Sequence, residues 1–299
     1  MKKSKTTVLI AVIAAGAGLM VTAAAGASAL APSTVSGDGG DRIGIVKGDG
    51  SSHAKAGGLS ALWTGQADDV KQIVLSGSRI GVLKDSGSVY VKDGDLDAEW
   101  KWQSDHVKQI ALAGDRIGVL KGDGTAYVKA GDLDAAWVGQ ANNVKTLELS
   151  GDRIGIVKGN GAAFVKEGGL DALWKGQADD VVDIDLSGDR IGVLKGNGAA
   201  FVKEGALDAL WKGQADNVLQ LELSGNRIGV LKDDGILFVK EGNLDALWNR
   251  QATHVIQFAL SGTRVAYLAD NGTAFAKQGA VNATQWTTEA DHVTEIALS

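Results

Sequence analysis

The chain contains no cysteine, which excludes a disulfide scaffold, a zinc-thiolate centre and a cysteine nucleophile. It has a single proline, Pro32, so its turns must be made by other residues. Aromatic residues reach only 5%, and basic residues are outnumbered, with a formal net charge of −6. That balance excludes the concentrated basic surface a nucleic-acid partner requires. What the chain has instead is glycine, 42 of 299 residues, and a hydrophobic fraction of 44% that allows a sizeable core. Eight of the few aromatics are tryptophan, so the tryptophan positions carry unusual information.

The first residues are read separately from the fold. Met1-Lys2-Lys3-Ser4-Lys5 is a short basic head, and the run from Thr7 to Ala25 is apolar. This is the pattern of a secretory signal peptide over residues 1–29, with Ala27-Ser28-Ala29 as the small-residue cleavage site and residues 30–38 as a short linker. An uncleaved membrane anchor is the alternative reading of the same run. Cleavage leaves 27 basic against 36 acidic residues and no membrane span, so an acidic, exported, extracellular protein is expected.

From Arg42 onward the chain repeats. Arg42, Arg79, Arg116, Arg153, Arg190, Arg227 and Arg264 are each 37 residues apart. Trp63, Trp100, Trp137, Trp174, Trp211 and Trp248 keep the same spacing, and Trp286 arrives one residue late. The windows beginning at Arg153 and Arg190 are identical at 28 of 37 positions, which marks them as copies of one supersecondary unit.

Each unit reads as four short strands. In the fourth, Val144 to Leu149 is followed by a turn at Ser150-Gly151-Asp152, then Arg153 to Lys158, a turn at Gly159-Asn160-Gly161, and Ala162 to Lys166. Asn-Gly and Asp-Gly pairs supply the positive φ of tight hairpins. Leu170 to Trp174 is then a fourth strand or a short turn-like piece. Ile154 and Ile156 point to one face of the second strand and Gly155 and Val157 to the other, and neither set is polar, so both faces are buried. Such sheets must stack face to face, in an open array or a closed ring.

The chain ends favour the ring. Residues 292–299 form a first strand with no second after it, and Gly39 to Gly44 begins a second strand with no first before it. Joining them completes one blade and closes an all-β, seven-bladed β-propeller over residues 39–299, which leaves no blade unpaired.

The motif Val107-Lys108-Gln109-Ile110-Ala111-Leu112-Ala113-Gly114, followed by Arg116 to Leu120, Asp123-Gly124, Tyr127-Val128-Lys129 and Trp137, resembles the tectonin-type propeller repeat. It is also similar to the propeller repeat of the chromosome-condensation regulator family. The tectonin resemblance implies binding of sugars or lipopolysaccharide in defence or cell-surface recognition.

Hairpin topology sorts the loops onto two faces. The second-to-third turns and the crossovers, exemplified by Lys175 to Asp180, share one face, and the first-to-second turns share the other with the Lys166-Glu167-Gly168 loops. The crossover face thus repeats Lys, Asx, Trp and Gln, which suits hydroxyl-rich ligands: amides and carboxylates bond hydroxyl pairs, and indoles offer a flat apolar platform. The candidate ligand-binding residues are Trp137, Trp174, Trp211, Gln140, Gln177, Gln214, Asp123, Asn160 and Asn197, with Trp102 added because it stands where other copies have Gly65, Gly139, Gly176 and Gly213. Each has a structural alternative: the tryptophans can pack blade on blade, the glutamines can bond loop backbone, and the Asx residues can serve the hairpins. The arginines sit beside Glu167, Glu204 and Glu241 and read as salt-bridge structure.

No nucleophile with a paired base is visible, so no enzyme is expected, and neither is a cofactor. His106, His254 and His292 fall in different blades, too dispersed for one metal site, and the Asx-Gly turns lack the bidentate Glu of a calcium loop. The expectation is a monomeric, secreted, lectin-like protein with repeated sites for a cell-surface glycan or polysaccharide. A secreted interaction or scaffold propeller with a protein partner is the alternative. The seventh copy, with Ala269 where Lys232 stands and Glu289 in place of the crossover Gln, is expected to be silent.

Overall fold

The computed structural model describes residues 41–299. The signal peptide at 1–29 and the linker at 30–38 lie outside the described residues. Twenty-eight strands, numbered β1 to β28 in chain order, form seven four-stranded antiparallel sheets. The fourth blade is typical: β12 (Val144–Ser150), β13 (Arg153–Lys158), β14 (Ala163–Glu167) and β15 (Lys175–Ala178), from the inside outward. The other inner strands are β4 (Val70–Ser76), β8 (Val107–Ala113), β16 (Val181–Ser187), β20 (Val218–Ser224), β24 (Val255–Ser261) and β28 (Val293–Leu298). β28 pairs with β1 (Arg42–Lys47), Ile45 opposite Ile296, so the first blade is built from both ends of the chain and the ring closes as expected.

Of the two readings of Leu170 to Trp174, the turn-like piece holds; the crossover is what needs correction, because Lys175–Ala178, read as part of it, is the fourth strand, and only Asp179 and Asp180 then cross to the next blade. Asp180 makes that sharp reversal with a φ of 54°. The assignment of the turns and crossovers to one face holds, because the outer strand still ends where the second-to-third turn lies. The crossover glutamines, and Trp102, therefore belong to outer strands rather than to loops.

The second-strand glycine explains how closely the blades stack. A Cβ on Gly155 would come within 3.2 Å of Leu186 on the next inner strand, and one on Gly229 within 2.3 Å of the Phe258 ring. The neighbouring apolar side chain occupies the volume a side chain would need, so inter-blade spacing is set by this absence. The core accordingly lies between blades: Val157, Ala163 and Val165 of the fourth meet Ile184 and Leu186 of the fifth, with Trp211 against them.

Each inner strand leaves one edge unpaired toward the central channel, and buried backbone N–H groups need acceptors. The preceding blade supplies them. Gln72 Oε1 accepts from Ile110 N–H at 3.1 Å and Gln109 Oε1 from Leu147 N–H at 3.1 Å, while Ser224 Oγ accepts from Gly262 N–H at 2.9 Å. Glu222 does the same for Leu260 at 3.0 Å and Glu295 for Ile73 at 3.2 Å. A belt of side chains, one blade apart, thus replaces the missing strand.

Candidate functional site

The arginine series stitches blade to blade. Arg153 lies 3.4 Å from Glu167 and Arg190 3.1 Å from Glu204, as expected, but each guanidinium also reaches the next blade: Arg153 donates to the carbonyl of Gly205 at 2.8 Å and Arg190 to that of Gly242 at 2.6 Å. Their carboxylate partners are partly exposed, so the carbonyl contacts in the buried seam carry more of the structural role.

The tryptophans line the same seams. Lys166 Nζ lies 4.9 Å from the Trp174 ring centroid, Lys129 4.9 Å from Trp137 and Lys203 4.7 Å from Trp211. These lysines are buried and donate to loop carbonyls four residues on, Lys203 to Leu207 at 2.6 Å. Burial pulls the Lys166 and Lys203 ammonium groups below their usual range. Trp211 Nε1 in turn donates across the seam to the Gln177 carbonyl at 3.3 Å. One face of each of these indoles is therefore covered by a cation from its own blade, a cation–π arrangement that fixes the ring in the seam. Trp102 stands apart: it is 56% exposed on β7 (Lys101–Ser104), opposite Tyr90, and its Nε1 donates to Asp105 at 3.2 Å.

The glutamines are half-used. Gln140, Gln177 and Gln214 donate through Nε2 to the carbonyls of Val138, Lys175 and Lys212 at 3.1–3.2 Å, while each Oε1 is buried without a hydrogen-bond partner. The turn residues serve their hairpins: Asp123, Asn160 and Asn197 accept from the N–H two residues on, at 2.8, 3.2 and 3.1 Å. All three remain exposed at the surface of the crossover face.

Of the candidates, Gln177 with Trp211, Gln214 and Asp123 line clefts on this face. Gln177, Lys195, Phe201 and Trp211 line one of about 270 Å³. Gln214, Lys232, Phe238 and Trp248 line its equivalent one blade on, also about 270 Å³. Between the first and second blades the cleft widens to about 560 Å³, with Gln66, Lys84, Tyr90 and Trp100. Tyr127, Lys121 and Asp123 line a further one with His106. The phenylalanine and tyrosine of the third strand were read only as part of the repeat motif, through Tyr127, and not as binding candidates, although their 37-residue recurrence was there to be read.

A second feature was missed entirely. Glu148, Asp183, Asp185 and Glu222 crowd one arc of the channel on three successive inner strands. Burial pushes Asp183 up to about 7 and, together with the charge of Asp183, Asp185 up to about 8. Glu148 stands well above the carboxylate range through burial and then the charge of Asp185. Among the described residues no three histidines, aspartates or glutamates converge to hold a metal ion, and no helix is long and apolar enough to cross a membrane.

No protein-family profile and no curated protein matches the chain. Solved structures do. Human WBSCR16 is 12% identical with a TM-score of 0.60, over 74% of this chain and 82% of that one. Prp20p of Saccharomyces cerevisiae, the yeast RCC1, for which binding properties toward Gsp1p and histones are described, is 13% identical with a TM-score of 0.60, over 74% and 76%. Hsv2 of Kluyveromyces lactis is 13% identical with a TM-score of 0.59, over 83% and 93%. At this identity the likeness establishes the fold, a seven-bladed propeller similar to the RCC1-like proteins.

Proposed function

We propose that the protein is a secreted, multivalent carbohydrate-binding propeller of tectonin-like repeat design, a monomer that acts at an extracellular glycan without enzymatic activity or cofactor. The observation that carries this reading is the recurrent inter-blade cleft. Each pairs a buried glutamine Oε1 that lacks a donor with an aromatic ring and a lysine at the rim. A sugar hydroxyl supplies the missing donor, its C–H face packs on Phe201 or Phe238, and the scale of about 270 Å³ suits one sugar ring better than a large ligand. Repetition on one rigid disc raises avidity by roughly 10²–10⁴ for a multivalent surface even where each site is weak.

A glycan array on the purified protein, followed by calorimetry with a monovalent hit, tests this reading. More than one site per chain is expected, and Gln177→Ala with Gln214→Ala should lower the stoichiometry. An empty array, or a single site abolished by changing Trp102 alone, would refute repeated sites. The alternative of a protein-interaction propeller draws support from a different place, the channel mouth.

A further inference from the structure

The second residue of each inner strand stands at the channel mouth on the crossover face, and here the sevenfold repeat breaks down. Blades two to four place Lys71, Lys108 and Lys145 at this level; blades five to seven place Val182, Leu219 and Ile256. These three are 46%, 62% and 56% exposed on successive blades. Single exposed apolar residues are ordinary, but three neighbours at one height mark a contact surface.

Beneath this apolar rim opens a cavity of about 640 Å³ lined by Asp183, Gln220, Glu222 and Gln257. Gln257 is buried, and although its Oε1 accepts from Ile296 N–H at 3.2 Å, its Nε2 has no partner. On the adjoining inner strand Glu148 is fully buried with neither carboxylate oxygen hydrogen-bonded. At the level of Glu148, Asp185 and Glu222 the other blades carry Val74, Ala111, Ala259 and Ala297, so acids there fall on blades four to six, two of which bear the apolar rim; one level nearer the mouth, Asp183 has a buried counterpart in Glu295 of the first blade. Crowding buried carboxyls is costly, and an arriving cation relieves that cost.

The carboxyls do not converge as a metal's ligands would. An apolar collar above a carboxylate-lined pit instead fits a long aliphatic stem ending in a cation. Lys71, Lys108 and Lys145 across the mouth repel a basic tract and leave room for a single basic residue. We propose that this mouth docks an apolar segment of a protein partner, taking one lysine or arginine side chain into the cavity between Asp183 and Glu222 while the flanking apolar residues rest on Val182, Leu219 and Ile256. Gln257 Nε2 then has a carbonyl oxygen of the segment to bond. This site is separate from the inter-blade clefts and stands whether or not those bind sugar.

A random heptapeptide display library panned on the immobilised protein provides the probe, with enriched peptides measured by fluorescence anisotropy. Enriched sequences should share one lysine or arginine between apolar residues, and replacing that residue by norleucine should weaken binding at least tenfold. Leu219→Ser and Glu222→Gln should each weaken it at least tenfold. Leu210→Ser, a still more exposed leucine outside the mouth, should leave it unchanged. Leu219 is on the surface; glutamine at 222 can still accept from Leu260 N–H, and Gln220 Nε2, which loses its 2.7 Å bond to Glu222, keeps the Phe258 carbonyl at 2.9 Å, so both variants should stay folded, as the melting temperature checks. No enrichment, enriched peptides without a basic residue, or binding indifferent to Leu219→Ser would overturn the proposal. So would a concentration-dependent dimer or binding to phosphatidylcholine vesicles lost in Leu219→Ser, which would give the rim to a second copy or to lipid.

Discussion

Lys55 and Glu289 form an ion pair, buried on both sides, that fastens the third strand of the first blade directly to the outer strand of the seventh. The six other seams carry a neutral glutamine at the position of Glu289: Gln66, Gln103, Gln140, Gln177, Gln214 and Gln251. The substitution read in the sequence as the loss of a binding residue thus sits where the ring closes. There the three N-terminal strands meet β28 with no chain connection, and the charged pair acts beside the β28–β1 ladder.

Removing one member of a buried pair strands the other. Glu289→Ala should cost about 3–5 kcal/mol in urea unfolding, whereas Glu289→Gln, which recreates the seam found between the other blades, should cost less than about 1.5 kcal/mol. Equal effects would deny the ion pair a part in closure.

Deletion of residues 292–299 removes β28 and with it the fully buried Ile296, Ala297 and Leu298. At roughly 1.5–3 kcal/mol for each large apolar side chain, and about 2–4 °C per kcal/mol for a domain of this size, the melting temperature should fall by about 10 °C or more. An unchanged melting curve would contradict closure by this strand.

Trp174 is half-buried in a seam beneath Lys166, and Trp102 is exposed on an outer strand. Trp174→Ala should therefore cost about 3 kcal/mol of stability and Trp102→Ala less than about 1. Denaturant unfolding of the two variants side by side checks this contrast, and the reverse order would mean that the indole in the seam packs little.

The channel carboxyls link stability to pH. Asp183 and Asp185 hold their protons up to about 7 and 8 in the folded protein, against an ordinary value of 3.8. A raised acid stabilises the fold fully below its unfolded value and loses that contribution as pH climbs through the folded one. Thermal stability should accordingly fall between about pH 5 and 8, and Asp183→Asn with Asp185→Asn should flatten that slope. A melting temperature that rises over the same range would reverse the sign.

The sequence alone determined the period, the hairpins, the blade count, the closure and the sorting of loops onto faces, because each depends on contacts within one repeat or on the plain arithmetic of strands left over at the two ends. It left Leu170 to Trp174 open between a strand and a turn-like piece and put the actual outer strand, Lys175–Ala178, into the crossover. Leu170 to Trp174 has the apolar content of a strand, but its tryptophan is drawn into the seam by the neighbouring blade, and the short, exposed Lys175–Ala178 completes the sheet by backbone pairing alone. The inter-blade role of Arg153, the cation over Trp174 and the pairing of Lys55 with Glu289 all depend on which side chains meet across seams. The acidic arc of the channel had the same cause. Glu148 and Asp185 are 37 residues apart in the chain and become neighbours only when inner strands are set side by side around an axis, where burial raises both carboxyls above their ordinary range.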